Sequence, residues 1–189
     1  MKKILSILMP TLVERREIRS DLVAKLRDQI AKTGPKLADL LILEDDRQNT
    51  TGLKRNRLLD DSTGLFVAFV DDDDNVSDNY VREIVETIDQ SAGELDCVGI
   101  VGEMIKDGDI SRFIHSINVS GWYDKERKIY FRFPNHLNPV RREIAVSERF
   151  PETSYAEDRI FSDKLRASGR LKREILIGKE ILYYYRCRG

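Results

Sequence analysis

The stretch GLFVAFVDDDDN (64–75) sets an unbroken apolar run directly against four consecutive aspartates. A strand without polar alternation is buried on both faces, which suits a mainly parallel sheet covered by helices on each side. Ligands of such sheets bind beyond the carboxyl ends of the strands, where these aspartates stand. By themselves the aspartates leave two explanations open: a solvated turn after a core strand, or a divalent cation bound by carboxylate oxygens, as Mg²⁺ and Mn²⁺ prefer. Alternate residues of an extended segment point the same way. Asp71 and Asp73 would then share a cation, Asp74 would support them, and Asp72 would point away and tolerate replacement best.

The neighbouring sequence keeps the same rhythm. Apolar runs at 4–10, 38–44 and 95–104 read as further strands. Helical spacing marks 17–32, 51–62 and 78–91, with Ser77 as the expected N-cap of the last. Pro10-Thr11, Glu44–Asp46 and Asp71–Asp74 therefore converge on one rim. Residues 110–133 read as two strands joined by a turn near Gly121 and Asp124, and 134–151 as a loop followed by a short helix. Residues 154–168 have helical spacing ended by Gly169, and the tail EILIGKEILYYYR reads as a hairpin with tyrosines on alternating faces.

At 189 residues the chain suits one domain. Its net charge of −1 provides no global field for nucleic acid or an anionic membrane, although the tail is basic and aromatic. Cys97 and Cys187 lack metal spacing and suit a reducing compartment. No segment approaches the ~20 apolar residues of a membrane span. The expected location is cytoplasmic, in a bacterium or a virus-infected cell.

Five pieces stand in order: ILMPT (7–11), LILEDD (41–46), TTGLKRNRLL (50–59), GLFVAFVDDDDN (64–75) and SYAEDRIFSDKL (154–165). Over roughly residues 3–168 this set resembles the family 2 glycosyltransferases of GT-A fold. The resemblance implies an α/β, Rossmann-like, mainly parallel sheet flanked by helices on both faces, with a small antiparallel part in the second half. It implies one domain over 1–189, with about 1–105 as the nucleotide-binding half and about 106–189 on the acceptor side. The implied activity is metal-dependent, inverting transfer of a sugar from a nucleotide-diphosphate sugar, a UDP-sugar foremost, with Mn²⁺ or Mg²⁺. The acceptor would be a saccharide, a protein or a hydroxymethylated DNA base.

Residue by residue, the resemblance implies that Pro10 and Thr11 line the nucleotide pocket and that Asp45, with Asp46 beside it, holds the base or ribose. Arg55 and Asn56 match the family's Arg-Asn near the diphosphate, and Lys54 could add a phosphate contact. Asp71 and Asp73 match the Asp-x-Asp that meets ribose and metal, with Asp72 inside that nucleotide-sugar motif. Asp158 matches the catalytic base, with Glu157 as its neighbour. The usual Asp-Asp-Gly-Ser is replaced by Asp45-Asp46-Arg47-Gln48, which bears on nucleotide contact.

His136, Asn138 and Arg141, in a Pro- and Asn-rich loop, are candidates for the acceptor or donor-sugar pocket. Trp122 would either stack on a sugar or pack, and His115 reads as a strand residue rather than a ligand. A Toprim-type phosphoryl-transfer enzyme would also place Asp-x-Asp at a strand end but leaves Arg55-Asn56 and Glu157-Asp158 without a role. A non-catalytic nucleotide-sugar-binding protein is the other alternative.

Overall fold

Strand β1 (Leu5–Leu12) divides its apolar residues by parity, as a strand buried on both faces must. Leu5, Ile7 and Met9 enter one core and Leu8 enters another on the opposite side of the sheet. The computed structural model describes residues 3–92 and 94–187. Helix α1 (Ser20–Thr33) follows β1, then β2 (Ala38–Asp45), α2 (Thr51–Asp61), β3 (Phe66–Phe69), the short β4 (Asn75–Val76) and α3 (Tyr80–Gln90). Leu22, Leu26 and Ile30 of α1 and Tyr80, Ile84 and Ile88 of α3 recur every four residues and fill the first core.

The second half adds β5 (Cys97–Lys106), β6 (Asp109–His115), β7 (Trp122–Asp124), β8 (Ile129–Arg132) and β9 (Val140–Arg141). Helices α4 (Arg142–Glu148) and α5 (Glu157–Ser168) cover the second core together with α2, and β10 (Glu174–Ile177) and β11 (Tyr183–Cys187) end the chain. The sheet order is β2-β1-β3-β9-β5-β6-β8-β7. β2, β1 and β3 are parallel, β9 runs against β3 and β5, and β10 and β11 run parallel to β5. The expected α/β architecture with helices on both faces is what forms.

Three local expectations are corrected. The tail is no hairpin: Glu174–Ile177 pairs with Cys97–Ile100 and Tyr183–Cys187 with Gly102–Lys106, so both segments run the same way along β5. One long strand offers two consecutive stretches of free edge, and the Gly178 region carries the chain straight on. Residues 109–132 form three strands, with β6 parallel to β8 and the tight turn at 125–128 between β7 and β8 rather than at Gly121. Ser77 does not cap α3, because the helix begins only at Tyr80: Asn79 occupies the cap position without a side-chain bond, and Ser77 Oγ has no hydrogen-bond partner among the described residues.

Gly52 sets the distance between the two halves of the site. Its N–H donates to Thr153 O at 2.9 Å, and a Cβ there would fall 1.8 Å from Pro151 O. Gly52→Ala must push the 150–156 loop away from α2, and is expected to cost about 1–3 kcal/mol in urea unfolding. Unchanged stability would mean that this loop is not clamped to α2.

Candidate active site

Asp71 is the hub where β3 ends. Arg55 Nη2 donates to its Oδ1 at 2.9 Å, and His136 Nε2 stands 3.2 Å from its Oδ2. Burial alone would raise this carboxyl, but its interactions with Arg55 and His136 outweigh that and hold Asp71 well below its ordinary range. Arg55 is 3% exposed, with its guanidinium over the rings of Phe69 (5.0 Å) and Phe150 (5.5 Å). Its Nε faces Glu157 Oε1 at 3.6 Å. Arg55 Nε and Nη1 and His136 Nδ1 are buried without hydrogen-bond partners among the described residues. In the neutral tautomer that gives Nε2–H to Asp71, His136 would present Nδ1 as an acceptor.

The other aspartates face separate partners. Asp72 accepts from Thr11 Oγ1 at 2.6 Å and from Arg15 Nη1 at 2.7 Å, and is buried. Its expected tolerance of replacement is therefore overturned: it points away from Asp71, but into a buried polar joint with the end of β1. Asp73 lies 3.6 Å from Arg15. Asp74 supports the site from beneath, accepting from Tyr183 Oη at 2.7 Å and Arg186 N at 2.8 Å. Tyr183 Oη also accepts from Asp71 N at 3.1 Å, so β11 braces the whole turn.

Burial, and then the Asp71 charge, push the Asp74 carboxyl up to about 8. The fold therefore keeps a proton that the unfolded chain releases near its ordinary value of 3.8. The stabilisation is complete below that value and is lost as pH rises through about 8. Without added divalent cation, stability should fall from about pH 5 to about pH 8, and Asp74→Asn should flatten that slope. Urea titrations across this range check it; equal slopes in the two proteins would contradict the assignment.

On the β1–β2 side, Lys54 Nζ donates to Thr11 O at 2.8 Å and to Asp45 Oδ1 at 2.9 Å. Asp45 Oδ2 accepts from Asn49 N at 2.8 Å and Asn49 Nδ2 at 2.9 Å, closing the loop where Arg47 takes a φ of 57°. Burial works against ionisation of Asp45, but Lys54 and Asn49 outweigh it and lower its carboxyl. A cavity of about 360 Å³ opens here, lined by Pro10, Thr11, Arg15, Asn49, Thr51 and Lys54 among others. Asp46 is exposed at the turn.

A second cavity, about 410 Å³, lies on the other side of Asp71. Arg55, Asp71, His136, Glu157 and Asp158 line it together. Asp158 is half-buried in the first turn of α5, and no hydrogen bond or ion pair from another described residue holds its carboxylate. Ala156 enters that helix with a φ of 57°, a left-handed conformation that costs an L-residue about 1–2 kcal/mol.

The sequence model described as glycosyl transferase family 2 matches residues 19–146. The chain belongs to that family. Solved structures give the same picture of the fold. The 1–349 fragment of S. aureus TarS in complex with UDP-GlcNAc matches with a TM-score of 0.61 at 18% identity, over 98% of this chain and 59% of that one. The UDP complex of the same fragment gives 0.60 at 18% identity over 97% and 60%, and the longer TarS structure 0.59 at 17% over 97% and 37%. This chain thus spans about 60% of the TarS fragment. No curated protein matches the sequence.

Within this family 2 glycosyltransferase, several residues singled out from sequence lie away from both cavities. Asn56 is committed to Phe150, giving Nδ2–H to its O (3.0 Å) and accepting its N–H (2.9 Å), and so ties α2 to the loop before α5. Arg141 pairs across from Phe66, at the amino end of the parallel strands, and donates to Leu95 O at 2.9 Å. Asn138 is buried beneath the second cavity and holds His115 Nδ1 at 3.2 Å and Val98 O at 3.0 Å. Trp122 stacks on Phe131 at 4.3 Å, on the face of the ribbon opposite Tyr130, so it packs outside the cavity.

Other residues were missed. His115, read as a strand residue, lines the second cavity with Phe113, Tyr130, Arg132 and Tyr185. The alternation in IYFR and YYYRC marks one face of each strand, but nothing local says that those faces meet. Arg15 and Arg19, which brace Thr11 and Asp72, sit in a charged run that reads as solvated. No helix among the described residues is long and apolar enough to cross a membrane.

Proposed function

We propose that this family 2 glycosyltransferase uses a nucleotide-diphosphate sugar and transfers with inversion, with Asp158 as the base. The observation that carries this reading is the unpaired Asp158 carboxylate facing the same cavity as Asp71, Arg55 and His136. The nucleotide would occupy the cavity at Pro10, Thr11 and Lys54, with the diphosphate at Arg55 and the sugar toward His136 Nδ1. The UDP and UDP-GlcNAc complexes of the TarS fragment, of like fold, support a UDP-sugar donor. The nucleotide half would be about 1–105 and the acceptor half about 106–189.

The donor set suits a divalent cation brought in with the diphosphate rather than a closed cage. No three His, Cys, Asp or Glu side chains converge as a metal site among the described residues, and both Asp71 oxygens face Arg55 and His136. Mg²⁺-type sites use one or two carboxylates plus substrate phosphates, so Asp73, with Asp71 beside it, would hold the ion. When bound, it would offset charge on the departing diphosphate.

The chain's own groups supply the rest. The acceptor oxygen attacks the anomeric carbon as the carbon–oxygen bond to the diphosphate breaks, and the electron pair leaves with the phosphate. The acceptor proton passes to Asp158 Oδ, while the buried Arg55 guanidinium stabilises the charge developing on the phosphate. Glu157 faces Arg55 rather than standing unpaired, which leaves one free carboxylate. One base with no second nucleophile suits a single displacement, by analogy with the two geometries of glycoside hydrolysis.

A melting screen of sugar nucleotides with and without Mn²⁺ or Mg²⁺ tests this reading. A UDP-sugar at a hundred times its Kd should add about 2.7 kcal/mol of stability. No shift with any sugar nucleotide would reject the donor assignment. Family membership favours transfer over the phosphoryl-transfer and non-catalytic alternatives.

A further inference from the structure

One wall of the second cavity, which Asp158 also lines, has a chemistry that the transfer step itself does not need. Strand pairing places Met104, Phe113 and Tyr130 on one face, together with Tyr185, as a floor of the cavity that Asp158 also lines. Tyr123 extends it, stacked on Tyr130 at 4.2 Å. Gly102 makes this floor flat, since a Cβ there would fall 2.1 Å from the Phe113 ring. At the rim Arg132 is exposed, with its guanidinium 5.4 Å from the centre of the Tyr130 ring.

Charge pairing singles out Arg132. On the ribbon Arg112 pairs with Glu103 (3.9 Å), Arg127 with Asp124 (3.9 Å) and Lys128 with Asp109 (3.7 Å), while Lys106, Lys125 and Arg132 have no ion pair among the described residues; of these three only Arg132 lines the cavity. Inside the cavity Arg55 faces Asp71 and Glu157. Among the described residues no Asp or Glu lies within ion-pair distance of Arg132. Burial, and then Arg132 itself, push the neighbouring His115 down to about 3, so His115 is neutral and the positive charge here is that of Arg132.

We infer that the acceptor is a saccharide carrying one anionic group, a carboxylate or a phosphate monoester, that Arg132 holds while the ring lies along Tyr130. This rests on the glycosyltransfer reading above. Within the cavity a single unpaired arginine matches one anionic group, whereas a polyanion engages many cations at once. The cavity, about 410 Å³, is also the size of a small-ligand site.

Binding titrations of methyl β-glucuronide, methyl β-glucoside 6-phosphate and methyl β-glucoside to the whole chain test it. At least one charged glycoside should bind roughly tenfold or more tightly than the neutral one. Arg132→Gln should abolish that preference and Arg132→Lys retain part of it, with melting curves confirming that both variants fold. Comparison of the two charged ligands tells carboxylate from phosphate. Equal binding of charged and neutral glycosides, binding of none, or a preference that survives in Arg132→Gln would overturn the inference. Nucleotide release from sugar nucleotides by the wild-type chain is followed separately, so a failed acceptor assignment is distinguishable from a failed glycosyltransfer assignment.

Discussion

Asp158→Asn is expected to lower turnover about 10²- to 10⁴-fold while donor affinity stays within a few-fold of wild type. The asparagine keeps the shape at the start of α5 but cannot accept the acceptor proton. The same change removes a negative charge from the first helical turn, an effect worth about 0.3–1 kcal/mol, so the variant remains folded. Nucleotide release gives the rate and calorimetric titration the donor Kd. A drop of less than about tenfold would exclude Asp158 as the base. Loss of donor binding with turnover would instead place it among the nucleotide contacts. NMR of the product anomer tests inversion in the wild-type enzyme.

Replacing Arg55 with methionine should cost about 3–5 kcal/mol, the largest stability loss expected from one substitution in the site. Methionine still fills the space between Phe69 and Phe150, so packing changes little. What is lost is the partner of two carboxylates, Asp71 and Glu157. The sign of the pH effect follows from Asp71, whose carboxyl is lowered in the fold. Its stabilisation is present above the ordinary value of 3.8 and lost as pH falls toward the lowered one. The gap between wild type and Arg55→Met should therefore be widest near neutrality and narrow in acid. Urea unfolding at both pH values measures it, and a gap under about 1 kcal/mol near neutrality would mean that Arg55 is effectively solvated.

Arg55 also shows how far the site could be read without coordinates. By resemblance its place in TTGLKRNRLL gave the expectation of an arginine near the nucleotide, while its reach to Asp71 at 2.9 Å follows from α2 lying across the end of β3. Asn56, one residue on, carries the same sequence signal but turns to the Phe150 backbone, because consecutive helical residues point about 100° apart. Asp72 differs from Asp71 in the same way: adjacent side chains of an extended segment face opposite sides, and only the fold reveals Thr11 and Arg15 on the far one.

Local periodicity and turn chemistry were enough to define the main strands and helices of the first hundred residues, the parallel core and the rim where Pro10-Thr11, Asp45 and Asp71–Asp74 gather. These signals are short-range, and the apolar run before the aspartates allows little else. Tertiary structure alone decided that the tail extends along β5, that Tyr183 braces Asp71 and Asp74, and that Phe113, Tyr130 and Arg132 share a cavity with Asp158. Each of these depends on which strand edge takes which segment. That choice follows from pairing and burial summed over distant residues, and no stretch of sequence a few residues long contains it.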